Sequence, residues 1–307
     1  MKLAAFSGGS INTTKSHKQM KKLLLLTFGI LSLSAASASE KQTGEETALY
    51  LNEAYMNTTH DCYGGPAFLC SGVTFRGGNA SEYFHVWNPS PNSVVSGGVS
   101  FSYIRKDAKY ERLAYGYTSG FILYPIYFSP NDKIDLHYLC IFPHDGDTNS
   151  RTDRGCGETT RAPFVSLQCD QQGIETAEQW KEQWVNQGRT YYGQCGFDIS
   201  EDTGQNTTER FYQGLRGTQL IDVENTTQNE IRIETWDQDI GSILPIQAFF
   251  YLSKSKSGLK DAQFYQRDFY RTEGVWIPII EFKLPKLLTD DASFSYYPLE
   301  QAIPEPM

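Results

Sequence analysis

The stretch "TTQNEIRIETW", Thr226 to Trp236, alternates polar and apolar residues through Asn229, Glu230, Ile231, Arg232, Ile233 and Glu234. A two-residue period is the mark of a strand with one face in a core, because residues two apart on a strand share a face. Ile231 and Ile233 therefore point inward with Asn229 and Thr235, and Gln228, Glu230, Arg232 and Glu234 form a polar row on the other side. A strand that only needed a wet face could use Thr or Ser there. A row of charged groups is better suited to line a cleft, and Glu230 is the residue whose role decides the reading.

Strand signals of the same kind run through the rest of the chain. "GVTFRGG" from Gly72, "GGVSFSYIR" from Gly97, "GFILYPIYF" from Gly120 and "KIDLHYLCIF" from Lys133 precede it, and "LPIQAFFYL" and "VWIPIIEFKL" follow, each bounded by Gly, Pro, Asn or Ser. Helical periodicity appears in "TAEQWKEQWVNQG" from Thr176, with a capping Thr and a closing Gly, and in "TTERFYQGLRG" from Thr207 and "SGLKDAQFYQRDFYRTEG" from Ser257. Strands that follow one another with inserted helices predict an α+β fold around a mostly antiparallel sheet, split or sandwiched. No Pro/Ser/Gly-rich linker or repeat divides the chain, so residues 39–307 are expected to form a single domain.

Ahead of it, "MKKLLLLTFGILSLSAASASE" from Met20 to Glu40 has the charged start, apolar run and small-residue exit of a secretory signal peptide, with cleavage expected after Ala38. The apolar run of about 11 residues is too short to span a bilayer, which takes about 20. Removing residues 1–38 takes away Lys2, Lys15, Lys18, Lys21 and Lys22 and no acid, so the formal charge of −9 becomes about −14. Such an acidic chain is a poor match for nucleic acid or an anionic membrane surface, both of which call for basic patches. Small anions held by one or two arginines stay open to it.

All six cysteines lie in the exported part. An even number in that setting implies disulfides, and the pairing that closes the shortest loops at the lowest entropic cost is Cys62 with Cys70, Cys140 with Cys156 and Cys169 with Cys195. No Cys/His cluster has zinc spacing. With only His60, His85, His137 and His144 in the exported part, and no G-x-S-x-G, H-E-x-x-H or Walker motif, the usual histidine-based and nucleotide-loop chemistries are not signalled. "HDGDTNSRTDRGCG" from His144 sets Asp145, Asp147, Asn149 and Asp153 at calcium-loop spacing. Ser150 replaces the turn glycine and Cys156 the closing glutamate, so a polar loop pinned by a disulfide is the expectation, ahead of calcium. "QRDFYR" from Gln266 reads as the charged face of an amphipathic helix packed through Phe264 and Phe269.

Three features resemble the Arg-Ser-Glu layout of ADP-ribosyltransferase and NAD-glycohydrolase domains: Arg76 on an early strand, Ser100 and Ser102 on the next, and Gln228-x-Glu230 on a late one. The residue types fit the chemistry. An arginine supplies a planar fork of donors to the NAD diphosphate or ribose, strand hydroxyls can shape the nicotinamide pocket, and a carboxylate stabilises the ribosyl cation that develops as the N-glycosidic bond breaks. The Ser-Thr-Ser usual in that layout is Ser100-Phe101-Ser102 here. Glu234, four residues on and on the same face, is the rival carboxylate. Tyr103 and Trp87 flank the serine strand and are candidate stacking rings.

Longer phrases carry a second resemblance. "PAFLCSGVTFRG", "WNPSPNSVVSGGVSFSYIRKDAKYERLAYGY", "DRGCG", "QCGFD", "NEIRIETW" and "GLKDAQFYQRDFYRTEGVWIPII" together are similar to the halovibrins, a family of secreted bacterial proteins. That resemblance implies an exported enzyme that hydrolyses NAD to nicotinamide and ADP-ribose, with ADP-ribosyl transfer to a host protein acceptor as the related activity and NAD itself, not a resident cofactor, as the bound molecule. It brings no catalytic map. The rival class is a non-enzymatic secreted binding module, which the acidic, aromatic-rich, disulfide-bonded composition would also serve.

Overall fold

The computed structural model describes residues 43–80, 85–88, 98–126, 136–146, 155–157, 168–189, 193–200, 206–221, 227–235, 244–287 and 289–306. The leader and most of the acidic loop, 147–154, lie outside them. Gln42–Met307 form one compact unit. Three disulfides join Cys62 to Cys70, Cys140 to Cys156 and Cys169 to Cys195, the pairing expected from loop length.

The strands are β1 Asp61–Cys62, β2 Gly65–Pro66, β3 Val73–Gly77, β4 Val99–Ile104, β5 Ser119–Leu123, β6 Leu136–Phe142, β7 Phe197–Asp198, β8 Glu230–Thr235, β9 Ile246–Leu252, β10 Ile279–Lys283 and β11 Ser293–Tyr296. The first two make a small hairpin, and the other nine form a mixed, mostly antiparallel sheet in the order β11-β10-β9-β5-β3-β4-β8-β6-β7. The one parallel pair among them, β9 with β10, is joined through a long helix, as a parallel connection requires. β4 is where the sheet changes partners. Its C-terminal half, Ser102–Ile104, pairs with β3, while its N-terminal half, Val99–Phe101, pairs with β8. Beyond that half the ladder gives way to a side chain, with the Tyr103 amide donating to Asn229 Oδ1 at 2.9 Å.

The four α-helices among the described residues are α1 Gly44–Met56, α2 Ala177–Asn186, α3 Thr207–Leu220 and α4 Lys256–Glu273. α1 begins with a reciprocal capping box: Thr43 Oγ1 accepts from the Glu46 amide and Glu46 Oε2 accepts from the Thr43 amide. It buries Leu51, Ala54 and Tyr55 against one face of the sheet, with Phe75, Ile122, Phe250, Phe282 and Phe294. The opposite face carries Phe101, Tyr103, Phe121, Ile231, Ile233 and Phe249 under Phe211 and Leu215 of α3 and Tyr265 and Phe269 of α4. Ile231 and Ile233 are fully buried there, as the alternation predicts. Asn52 of α1 clamps β11 by accepting from the Phe294 amide and donating to its carbonyl. Near the chain end, Glu305 accepts from the Tyr296 hydroxyl and from the Gly44 amide, tying the tail to the first turn of α1.

Candidate functional site

β8 is a central strand, held between β4 and β6, and its register sorts the candidate residues by face. Ser100 stands opposite Arg232, and β6 sets Phe142 opposite Glu230 and His137 opposite Glu234. Ser100, Ser102, Glu230, Arg232 and Glu234 therefore share the face that also carries Phe75, since Phe75 pairs with Ser102. Arg76, the next residue after Phe75, projects from the other face and pairs with Phe121. Adjacent strands bring the arginine and the serines close in sequence order but on opposite sides of the sheet. The expected Arg-Ser-Glu set is thus divided, with Arg76 apart from Ser100, Ser102 and Glu230.

The polar row is more deeply buried than a cleft lining would be. Glu230 is 1% exposed and Arg232 0%. Carrying a carboxylate and a guanidinium into the interior is costly unless other groups compensate, and part of the compensation is explicit: the Gly146 amide donates to Glu230 Oε2 at 2.9 Å. That amide is itself held in place. The loop after β6 is clamped by Gln194, whose side-chain amide donates to the Asp145 carbonyl at 2.9 Å, and by Thr218 of α3, whose hydroxyl donates to the Pro143 carbonyl at 2.9 Å. The Cys140–Cys156 bridge anchors β6 beside it. Glu230 is in this way a fixed acceptor.

On the serine side, Tyr110 lies against Ser102 and is fully buried. Burial pushes its phenol well above the ordinary value, with the Ser102 hydroxyl pulling the other way. The segment after it runs along the start of β8: Arg112 Nε donates to Thr227 Oγ1 at 3.3 Å, and the Ala114 amide donates to Gln228 Oε1 at 3.1 Å. Gln228 thus fastens a loop to the strand that carries Glu230. Glu234, further along the row, is half-buried.

The remaining candidates belong to the opposite face. Arg76 is half-buried, and the loss of solvent lowers its guanidinium pKa to about 10, with Tyr117 acting the other way. Tyr103 has no exposed surface; its hydroxyl donates to the Ser71 carbonyl at 2.7 Å and its ring meets Phe211 edge-on. Trp87 is enclosed by His85, stacked at 4.6 Å, and by Phe269, edge-on at 4.9 Å. Both rings spend their faces on the core, which removes them as stacking platforms. His85 Nδ1 contacts Asp268 Oδ2 at 2.5 Å, and Arg271 donates to the other oxygen of Asp268.

Residues that the sequence does not single out are Tyr110, Gly146 and Gln194, together with Arg232, which stands in the alternation only as a member of the row. The two-residue spacing of Glu230 and Arg232 was a usable signal. Nothing in the sequence announces that Gly146 turns its amide to a strand 84 positions later. Among the described residues no group of three or more His, Cys, Asp or Glu is placed to hold a metal ion. A shallow surface depression of about 430 Å³ lies along α2, lined by Gly173, Gln179, Glu182 and Gln187, and includes none of the candidate residues. Among the described residues no helix is long and apolar enough to cross a membrane, and the three disulfides fit an exported protein. Comparison with known proteins finds no matching family model and no matching curated relative.

Proposed function

We propose that the chain is a secreted, halovibrin-like NAD glycohydrolase in which Glu230 is the catalytic carboxylate. The observation that carries the reading is the immobilised carboxylate itself: a glutamate on a central strand, withdrawn from solvent, held through Oε2 by a clamped backbone amide, on one face with Ser100 and Ser102. A preoriented negative charge in a water-poor setting interacts strongly with positive charge that develops beside it, and costs no reorganisation when it does.

In the reaction, the bond from ribose C1′ to the nicotinamide nitrogen breaks with both electrons going to the nitrogen, so the pyridinium leaves as neutral nicotinamide. The ribosyl cation left behind is stabilised by Glu230. Water adds at C1′ and gives up a proton, yielding ADP-ribose. Ser100 and Ser102 are the hydroxyls that shape the nicotinamide side. Gln228 acts as a positioning residue through Ala114, and Arg232 is the cation on the working face in place of Arg76. Entry of substrate requires the segments packed on this face, Tyr110–Ala114 beside Ser102 and Gln228 and Pro143–Gly146 beside Glu230, to move aside. Transfer of ADP-ribose to a protein acceptor needs the same cation and differs only in the nucleophile.

Purified chain, with its disulfides intact, is incubated with NAD and nicotinamide release is followed. Steady release that Glu230→Gln abolishes supports the reading. No turnover by the wild-type protein, across ionic conditions, removes it in favour of a binding module.

A further inference from the structure

α2 presents different chemistry on its different sides. Ala177, Trp180 and Trp184 bury one side in the core. Glu178, further round, meets Arg216 in an ion pair, with Oε1 and Nη2 2.9 Å apart, which is how solvated helical surface is ordinarily built. A third stripe, Gln179, Glu182, Gln183 and Asn186, keeps the helical spacing of three and four but consists of carboxamides around a single carboxylate. It forms one wall of the 430 Å³ depression, and Gly173 and Ile174 form the other.

Both walls are tied to one disulfide. The turn Asp170–Gln172 starts at Cys169, and the Ile174 amide donates back to the Cys169 carbonyl at 2.8 Å. Trp180 Nε1 donates to the Cys195 carbonyl at 3.1 Å, which fixes α2 to the other half of the bridge. Gln183 Nε2 donates to Gln172 Oε1, joining the helix to the turn directly. The groove is therefore set before any ligand arrives, and little ordering entropy of its walls opposes binding.

That last bond uses only one end of Gln183. Its Oε1 is buried and has no hydrogen-bond partner among the described residues, a condition interior acceptors rarely keep. Gln179 Oε1 accepts from the Glu175 and Thr176 amides at 2.8 and 3.0 Å, which leaves its Nε2 as a spare donor. The side chains of Glu182 and Asn186 also have no hydrogen-bond partner among the described residues. One depression thus offers a buried acceptor, amide donors and a carboxylate. No Lys, Arg or His lines it, so it is ill suited to an anion; one carboxylate leaves most of a divalent cation's charge unmatched. Its apolar part is limited to Ile174 beside Gly173, too little for a lipid or an aromatic ligand. The ligand that matches is neutral and rich in hydroxyls, each of which both donates and accepts, as a carboxamide does.

We infer that this groove is a saccharide-binding site, which takes the end of a neutral glycan through Gln179, Glu182, Gln183 and Asn186. None of the residues of the Glu230 row lines it, so it does not depend on the NAD-directed reading. Its volume lies within the roughly 300–1,000 Å³ of ordinary small-molecule sites. Gln183 Oε1 is the acceptor that a sugar hydroxyl would satisfy, with Gln179 Nε2 and the Asn186 amide donating to neighbouring hydroxyl oxygens and Glu182 accepting at the rim.

The test titrates the full disulfide-bonded chain by calorimetry with maltotetraose and chitotetraose, which stand for polysaccharide, with N-acetyllactosamine, which stands for protein-borne glycans, and with sialyllactose as the anionic comparison. At least one neutral probe is expected to bind, and which one says where the glycan comes from; sialyllactose is expected to fail, because its carboxylate meets Glu182 and no cation. Gln183→Met keeps the length of the side chain and removes the buried acceptor, and should weaken binding about tenfold. Asn186→Ala should weaken it about three- to tenfold while leaving Tm unchanged or slightly higher, since alanine is the better helix former; an asparagine with only a structural role would instead lower Tm and leave affinity alone. Val185→Ser, at an exposed position of α2 outside the groove, is the control with unchanged affinity. The inference is overturned if no neutral probe binds the wild-type chain, if sialyllactose alone binds, if Asn186→Ala and Gln183→Met both bind as well as wild type, or if Val185→Ser weakens binding as much as they do. Should Gln183→Met fail to fold, Asn186→Ala decides by itself.

Discussion

Glu230→Gln separates the proposed catalytic role of this carboxylate from its structural one, and burial and hydrogen bonding set the size of the latter. The amide keeps the shape and can still accept from the Gly146 amide through its oxygen, so one hydrogen bond survives in a weaker, uncharged form. The change also removes a negative charge from the buried layer that contains Arg232. Substituting a solvated carboxylate would shift stability by no more than about 0.5 kcal/mol; at a position 1% exposed and bonded to a clamped loop, about 1–3 kcal/mol is expected. For a chain of this size that corresponds to a fall in Tm of roughly 2–10 °C. Catalysis should suffer on another scale, because removing charge where the ribosyl cation forms costs about 10²-fold or more in kcat, with KM for NAD nearly unchanged. Nicotinamide release is measured at a temperature well below the Tm of each variant, with circular dichroism to establish that the variant is folded. A folded Glu230→Gln protein within about threefold of the wild-type kcat refutes the assignment. If Glu234→Gln abolishes cleavage in its place, the wrong member of the row has been named.

Arg76→Met tests the division of faces: it should leave NAD cleavage within about threefold and leave Tm unchanged or higher, since it removes a partly desolvated cation; a large loss of kcat would return Arg76 to the site. The three disulfides enclose separations of 8, 16 and 26 residues, so the chain-entropy model ranks their contributions at about 2.5, 3 and 3.5 kcal/mol. Paired Cys→Ser variants compared by urea unfolding check the order, and a Cys62–Cys70 variant less stable than the Cys169–Cys195 variant contradicts it. Burial raises Tyr55 and Tyr103 to about 12 from an ordinary value of 10.0. Their stabilising contribution is therefore complete below pH 10 and is lost as pH climbs from about 10 to 12. Thermal unfolding between pH 8 and 11.5 should show Tm level at first and falling above about 10, with the fall reduced in Tyr103→Phe; a Tm that rises over that interval is the contrary result.

The local elements were legible because local chemistry specifies them. Thr176 caps α2 through the Gln179 amide, and Gly274 closes α4 in the left-handed conformation, both as the sequence signals imply. The short-loop disulfide pairing and the inward Ile231 and Ile233 follow from entropy and alternation alone. α1, which is not among the helices expected above, carries a local signal of the same kind: "TGEE" from Thr43 is a capping box ahead of an apolar run. Strand register is a different matter. Arg76 and Ser102 look like parts of one site until Phe75 is paired with Ser102, and a one-residue shift would have put them on the same side. Burial of Glu230 was equally out of reach, since the loop that encloses it is positioned by Gln194 and Thr218 through contacts remote in sequence.

The clamp between α1 and β11 has a consequence for the order of assembly. Asn52 waits 242 positions for Phe294, and the Gly44 amide waits 261 for Glu305. Until the last strand exists, the first helix has Leu51 and Tyr55 without the phenylalanine that completes their enclosure. A chain emerging from its N-terminal side thus cannot lock α1 until β11 has been made, and native structure arrives late and as a whole. Removal of β11 and the residues after it would therefore leave a protein with an open seam along α1.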